Sequence, residues 1–311
     1  MVGINCYLGT FLESEENMIV LRLKQIAALS KPRIVILLIF TAICGMIRIS
    51  EGFPEFTVLL GVLVGGSLAA AGSNAINQAL DADIDATMSR TRNRLVPTKQ
   101  LSPKAAILIG TIFVILAVTA LGILSNLLAA FLTLLASLTY VFVYTILLKR
   151  HSWNNIVIGG AAGAFPPLIG AAAVSGEVTI IGFYMFVVIF FWTPPHFWTL
   201  SLLLKDDYYA AKVPMLSAVA SDKETSLQII LYASLLLVLP WLPFAAGYSG
   251  WFFPLIATAL GFEWLRRSLA LGKSAAREIS LPAYKYSLLY LAGFFLALAL
   301  DPMVPGYPVS V

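Results

Sequence analysis

The sequence predicts an all-α polytopic membrane protein, nine transmembrane helices surrounding an intramembrane cavity open to the cytoplasmic side. Three observations predict it. The chain is 59% hydrophobic and only 12% charged, with a mean hydropathy of +0.89, whereas an ordinary soluble domain carries about 25% charged residues. Apolar runs long enough to cross a hydrocarbon core of about 30 Å recur along the chain. The basic residues gather in alternate connections between those runs, as cytoplasmic loops require.

The first span is read at 34–50, behind a cytoplasmic amino-terminal segment, 1–33, that carries Arg22, Lys24, Lys31 and Arg33. Glu13, Glu15 and Glu16 and the lack of an apolar stretch with a cleavage site argue against a secretory or transit peptide there. Further spans are read at 56–80, 105–124, 127–148, 155–174, 179–203, 226–246, 251–271 and 283–300. Arg90, Arg92, Arg94, Lys99 and Lys104 follow the second span, Lys149 and Arg150 the fourth, and Lys205, Lys212 and Lys223 the sixth. Arg266, Arg267, Lys273, Arg277 and Lys285 lie around the eighth and ninth, so that of 20 basic residues only Arg48 falls on the opposite face. A multi-pass protein of the cell membrane is expected, its amino terminus cytoplasmic and its carboxyl terminus outside. No linker divides residues 34–311, which are read as a single domain.

The net charge of +4 follows from this loop bias, so no nucleic-acid partner is implied. Cys6 and Cys44 have no metal-ligand spacing and are read as structural.

Chemistry is expected at the end of the second span. Asn77, Asp81 and Asp85 recur every four residues, a spacing that turns a helix by about 40° beyond a full turn and climbs about 6 Å, so the three share one face. Two acids and an amide on one face suit Mg, and a Mg site usually serves a phosphate. The plain alternative is a solvated helix end. Asp83 lies about 200° from Asp81 and is expected to turn away and pair with a loop arginine. Asn74, one turn earlier, is a candidate diphosphate contact. Arg90 and Arg94 stand close after Asp85, where guanidinium forks can orient phosphate oxygens; Lys149 and Arg150 can act similarly, or all four can be topological charges. Asp206 and Asp207 close the sixth span as Asp81 and Asp85 close the second, a weak internal echo that would bring two acidic ends to one membrane face.

In Trp192-Thr-Pro-Pro-His-Phe-Trp198, His196 lies about 15 Å deeper than the second acid pair, and ionisable groups at that depth are costly. Pro194 and Pro195 are expected to open the helix there. His151 is read as solvated. The small-residue run from Asn154 to Gly170 either lets helices approach closely or leaves room for a flat or long apolar ligand. A carboxylate face at the mouth of an apolar cavity suits a substrate with a diphosphate head and a greasy tail, of which prenyl diphosphates are an example. Metal and arginine would draw charge from the leaving diphosphate while an acceptor attacks the allylic carbon in a dry pocket.

These motifs resemble the UbiA-type intramembrane prenyltransferases. The strings L-S-K-P-R-I, D-A-D-I-D-A-T-M-S-R-T-R-N-R, N-I-V-I-G-G-A-A-G-A-F-P-P-L-I-G, W-T-P-P-H-F-W and D-Y-Y-A-A-K-V-P-M-L are similar to the haem-farnesylating branch of that family. The resemblance implies farnesyl transfer from farnesyl diphosphate to a vinyl group of haem B, giving a hydroxyethylfarnesyl side chain and diphosphate, in haem O and haem A supply for terminal oxidases. It implies Mg and diphosphate on Asn77, Asp81, Asp85 and Asp207, with Asp81, Asp85 and Asp207 as the metal ligands and Asp206 as the open alternative to Asp207. Basic contacts would come from Arg90, Arg94, Lys149 and Arg150, and His196 would face the porphyrin or the attacking water. A haem-handling or downstream haem A synthesis partner is a further implication. The sequence departs from the pattern at Leu203, where the wider family has an acid, at Ala171, where a tryptophan is expected, and at Leu95-Val96 in place of Pro-Leu. The competing readings are an ion-coupled transporter, a phosphoalcohol transferase and a sister prenyltransferase with a quinone or lipid-alcohol acceptor. A transporter needs acids deep in the spans, and the phosphoalcohol class needs a D-G-x-x-A-R string that is absent here.

Overall fold

In hydrocarbon every backbone N–H and C=O must be satisfied within its own segment, and the described residues meet this demand as helices, with no strand among them. The computed structural model describes residues 29–305 and Tyr307; the readings of Cys6, Arg22, Lys24 and most of segment 1–33 lie outside them. Helix α1 is Pro32–Ser50, with proline in the first turn, where a missing N–H costs nothing. Helix α2, Phe56–Leu80, stops at Asp81, and the six-residue α3, Ala82–Thr87, follows. Helix α4 is Pro103–Leu124, capped by Ser102; α5 is Leu127–Leu138, capped by Asn126. Each cap side chain accepts an otherwise unpaired N–H of the first turn.

The fourth span then widens into a π-helix over Thr139–Leu148, closed by the Lys149 N–H on the Tyr144 carbonyl. Asn155–Gly159 (α6) and Ala161–Ser175 (α7) share the fifth span, which ends at Gly176 in the left-handed region. Ile180–Leu203 is α8, and the six-residue Lys205–Ala210 is α9. The short α10, Leu216–Val219, leads to α11, Asp222–Val238, whose start is a reciprocal Ser221–Glu224 capping box. Trp241–Ala245 (α12), Phe252–Lys273 (α13) and Arg277–Leu300 (α14) complete the order.

Eight helical segments among the described residues are long and apolar enough to cross a membrane, which makes the chain a multi-pass membrane protein. They match eight of the nine expected spans. The remaining one, expected at 251–271, folds as α13 but stands apart because it carries Glu263, Arg266, Arg267 and Lys273. Glu263 neutralises both arginines, at 2.6 and 2.7 Å. Near one end of α13 the Gly250 and Phe253 N–H groups bond to Asp301 beyond α14. Near the other, the Leu271 carbonyl accepts from Ser226 in the first turns of α11 at 3.1 Å. Helix α13 therefore runs the length of both neighbours.

Pro194 and Pro195 do not open α8, which is continuous from Ile180 to Leu203. The freed carbonyls upstream are tolerated because neighbouring turns are reinforced by side chains: Thr193 donates to the Ile189 carbonyl and Thr199 to the Pro195 carbonyl, at 2.8 and 2.7 Å.

The small-residue run serves close helix packing. A Cβ on Gly170 would overlap the Ala42 carbonyl of α1, and one on Gly45 would overlap the Pro167 carbonyl of α7. Helices α2 and α4 meet the same way, where a Cβ on Gly72 or Gly110 would stand 2.5 Å from the other's carbonyl oxygen. Helix α1 also packs on α14, which joins the early and late helices into one bundle. Its far end carries Arg48, buried and hydrogen-bonded to the Tyr248 carbonyl and, at 2.6 Å, to the Tyr307 hydroxyl. Lys31 at its near end reaches Asn77, so the one basic residue expected on the opposite face does lie at the opposite end of α1.

Gly170→Ala should destabilise the protein by about 1–3 kcal/mol through overpacking, read as a lower midpoint of thermal unfolding in detergent. Gly163→Ala, on the same helix with nothing within 4 Å of a new Cβ, should be neutral or raise stability by about 0.4–1 kcal/mol.

Candidate active site

The break between α2 and α3 falls at Asp81, whose φ of −98° and ψ of 13° lie between helical and extended values. Hydrogen bonds from Asp81 N to Asn77 O and from Asp85 N to Asp81 O, at 2.9 and 2.8 Å, carry the four-residue register across it. Asn77, Asp81 and Asp85 are 3%, 0% and 2% exposed, so they form an interior site and not a solvated helix end.

A buried carboxylate needs a counter-charge and hydrogen bonds. The Asp81 Oδ2 receives both: Asn77 Nδ2 donates at 2.6 Å, and Lys149 Nζ makes a short ion pair. Asn77 Nδ2 also donates to Thr145 Oγ1 at 3.1 Å, while its Oδ1 accepts from Lys31 Nζ at 3.2 Å. The amide is thus oriented with oxygen toward the cation and nitrogen toward the anion. Asp85 pairs with Arg94 at 2.6 Å, and its carbonyl accepts from Thr91 at 3.0 Å. The π-helix places Tyr140, Thr145 and Lys149 along this face; Tyr140 donates to Asn74 at 3.3 Å, and Asn74 donates to the Ser30 carbonyl at 3.2 Å.

Asp83 turns away as its helical angle predicts, into a two-bond fork with Arg150 at 2.7 Å per bond. That fork holds the Asp83 carboxyl down at about 2. Arg150 also donates to the Leu80 carbonyl at 2.9 Å and stands 3.9 Å from Asp81 Oδ1. It is therefore committed mainly to Asp83 and lies at the edge of the carboxylate face.

The second acid pair resolves into unlike members. Asp206 is exposed, whereas Asp207 accepts from Ser89 at 2.7 Å in the loop after α3. Asp207 is the one drawn to the first motif. Arg90 is exposed and has no ion pair among the described residues; its charge acts on both Tyr208 and Tyr284. His151 is exposed and its ring bonds the Leu147 carbonyl, as a solvated residue does. His196 is not with the carboxylates. It is buried between the rings of Trp192 and Tyr284, at 4.2 and 5.0 Å, with Nδ1 2.6 Å from Ser287 Oγ of α14.

Lys31 had no individual signal in the sequence beyond its place in L-S-K-P-R-I. It sits in a left-handed conformation just before α1, and burial, assisted by Arg94 and Lys149, pulls its ammonium down to about 7. Thr145, Ser89 and Ser287 were equally silent, since each acts across more than 60 residues of sequence.

Among the described residues no three acids, histidines or cysteines close into a ready ligand set. The donor chemistry nonetheless fits a hard cation: Asp81 Oδ1 is buried without a hydrogen-bond partner, and an orphaned carboxylate oxygen beside other acids is what such an ion takes. The arrangement can hold a cation with carboxylates, neutralise an anionic group with Lys31, Arg90, Arg94 and Lys149, and exclude water.

Residues 38–298 match the profile of the UbiA prenyltransferase family. The protoheme IX farnesyltransferase of Thermus thermophilus is 46% identical over 277 residues, covering 89% of this chain and 46% of that protein. The protoheme IX farnesyltransferase of Streptomyces coelicolor is 40% identical over 289 residues, covering 91% of this chain and 92% of that protein. The chain spans about half the length of several of the curated relatives it matches, including those of Thermus, Chloroflexus and Roseiflexus. Among solved structures, a digeranylgeranylglyceryl phosphate synthase has a TM-score of 0.74 at 17% identity, covering 90% of this chain and 98% of its own. A UbiA homologue of Archaeoglobus fulgidus bound to GPP and Mg2+ has a TM-score of 0.63 at 15% identity, covering 88% and 99%. Both are likenesses of fold. With its helical bundle, its buried carboxylate register and a profile match over most of its length, the chain belongs to the UbiA prenyltransferase family.

Proposed function

We propose that this chain transfers the farnesyl group of farnesyl diphosphate to a vinyl group of haem B, giving haem O and diphosphate. The observation that carries the reading is the orphaned Asp81 Oδ1 among buried acids and bases, in a chain 40% identical to a protoheme IX farnesyltransferase over 92% of that protein. Asp81, Asp85 and Asp207 are the proposed Mg ligands, and Asn77 orients Asp81. A bound Mg ion supplies positive charge against the leaving diphosphate, in keeping with the Mg2+ bound to the Archaeoglobus homologue.

Lys149 and Arg94 are held on Asp81 and Asp85, within a side-chain swing of the same site. Arriving diphosphate gives these cations a second anion to neutralise, and charge-assisted contacts of this kind strengthen as charge develops on the leaving oxygen. Arg90, exposed and unpaired among the described residues, is positioned to meet the head group first. Asn74 and Arg150 are the further contacts proposed for the head group. His196 belongs to the acceptor end, in an aromatic setting suited to a flat ring. In membrane terms the reading keeps α13 as a ninth span, the amino terminus and the diphosphate mouth in the cytoplasm, the carboxyl terminus outside, and residues 34–311 as one domain. A haem-handling or haem A-synthesising protein is the proposed neighbour.

Purified protein given farnesyl diphosphate, haem B and Mg should yield a pigment heavier than haem B by one farnesyl group and one hydroxyl; chelation by EDTA should stop the reaction and added Mg restore it. Transfer to a quinone or lipid alcohol in place of haem B would move the chain to a sister activity. Asp81→Ala and Asp85→Ala should each lower turnover by about 10²-fold or more, measured well below a thermal unfolding midpoint that also falls because each strips one partner from a buried ion pair. Asp83→Asn, which breaks only an exposed ion pair, should leave turnover within about threefold of wild type; near-normal turnover in Asp81→Ala would sink the mechanism.

A further inference from the structure

The polar contacts of Ser287 decide the protonation pattern of His196. Ser287 Oγ lies 2.6 Å from the Tyr284 carbonyl oxygen and 2.6 Å from His196 Nδ1. Both contacts are hydrogen bonds, each needing a proton, and the hydroxyl has one. A carbonyl oxygen can only accept, so the Ser287 proton goes to Tyr284. The Ser287 oxygen must then accept from His196, which puts the imidazole proton on Nδ1 and the lone pair on Nε2. The ring cannot turn over easily, because Trp192 and Tyr284 stack on its two sides at interplanar angles of 17° and 27°.

The same residue fixes the neighbouring ring. Trp192 Nε1 donates to the Ser287 backbone carbonyl at 3.0 Å, so α14 holds Trp192 by main chain and His196 by side chain. Nε2 lies across the imidazole from α14, with no hydrogen bond among the described residues, on a residue that keeps 6% exposure. In the neutral ring Nε2 then offers a directed lone pair with no protein partner among the described residues, which suits it to accept a proton from a substrate.

We infer that Ser287 is a positioning residue that fixes the Nδ1–H form of His196, so that Nε2 takes a proton from the water that completes farnesyl transfer. The inference rests on the function proposed above. In that reaction the bond between farnesyl C1 and the diphosphate oxygen breaks and the diphosphate leaves with the electron pair. The vinyl π electrons form the new carbon–carbon bond, leaving positive charge on the vinyl carbon next to the porphyrin ring. A water oxygen bonds to that carbon, and one of its protons passes to His196 Nε2. No oxidant or reductant is needed. Were Nε2 to carry the proton instead, the water would have no acceptor, and the cation would lose a neighbouring C–H proton to give an alkene lighter by one water.

The test is product analysis by mass spectrometry with purified protein, farnesyl diphosphate, haem B and Mg. Ser287→Ala should lower turnover about tenfold or more and shift the remaining product toward the dehydrated alkene, with KM for farnesyl diphosphate unchanged. Ser287→Thr, which keeps the hydroxyl, should restore the wild-type ratio of hydroxylated to dehydrated product. A Ser287→Ala protein with the wild-type product ratio, whatever its rate, overturns the inference while leaving the proposed function standing. Absence of any farnesylated haem from the unmodified chain overturns the function and the inference together. Should Ser287→Ala fail to fold, Ser287→Cys offers nearly the same volume with a poor acceptor, and the same ratio decides.

Discussion

The carboxylate of Asp81 is fully buried, and the geometry around it follows from that placement. An ionised carboxylate away from water costs several kcal/mol unless opposite charge and hydrogen bonds meet it, and stripping one partner from a buried pair costs about 3–5 kcal/mol. Here the partners arrive from separate stretches of chain: Asn77 from the same helix, Lys149 from the end of the fourth span, and Lys31, through Asn77, from the approach to α1. The π-helix over Thr139–Leu148 belongs to the same solution. Its wider turns carry Thr145 and Lys149 on the face that looks at α2, and such segments are frequent at functional sites. One oxygen of Asp81 is left over, and it is the atom on which the proposed metal chemistry rests.

The two acidic motifs share a construction. A long helix stops at a residue with near-zero ψ, Asp81 or Leu204, and a six-residue helix turns off it with acids in its first turn. The weak echo between the halves of the sequence is therefore visible in the backbone. The copies are not equivalent in chemistry: the first buries Asp81 and Asp85, whereas the second exposes Asp206 and joins the loop after the first through Ser89.

Most of the helices were legible because hydrophobic length is a strong signal in a membrane chain. Asp83 was legible too, since an angle of about 200° is enough to send it away from Asp81, and Arg150 meets it there. Helix α13 was read at 251–271 and folds there, although its charges set it apart by composition; Glu263 neutralises Arg266 and Arg267 locally, and hydropathy counts charges without seeing pairs. The continuous course of α8 through Pro194 and Pro195 was misread, as helix-breaking rules describe water better than lipid. Lys31, Thr145 and Ser287 could not be found at all. Each acts on a partner remote in sequence, and a single sequence carries spacing only within one helix.

Backbone contact between α1 and α7 at Gly45 and Gly170 bears on how the bundle assembles. Of these helices α1 leaves the ribosome first, yet its neighbours α7 and α14 are made much later. Until they arrive α1 has α2 as its neighbour, and its run of Ile34, Val35, Ile36, Leu37, Leu38, Ile39 and Phe40 is apolar all round, so that stretch can face lipid meanwhile. When α7 does come, the only fit available is one in which no side chain stands between the two backbones. The glycine pair thus acts as a late register key, admitting the fifth span in a single alignment and seating the residues around it for the helices still to come.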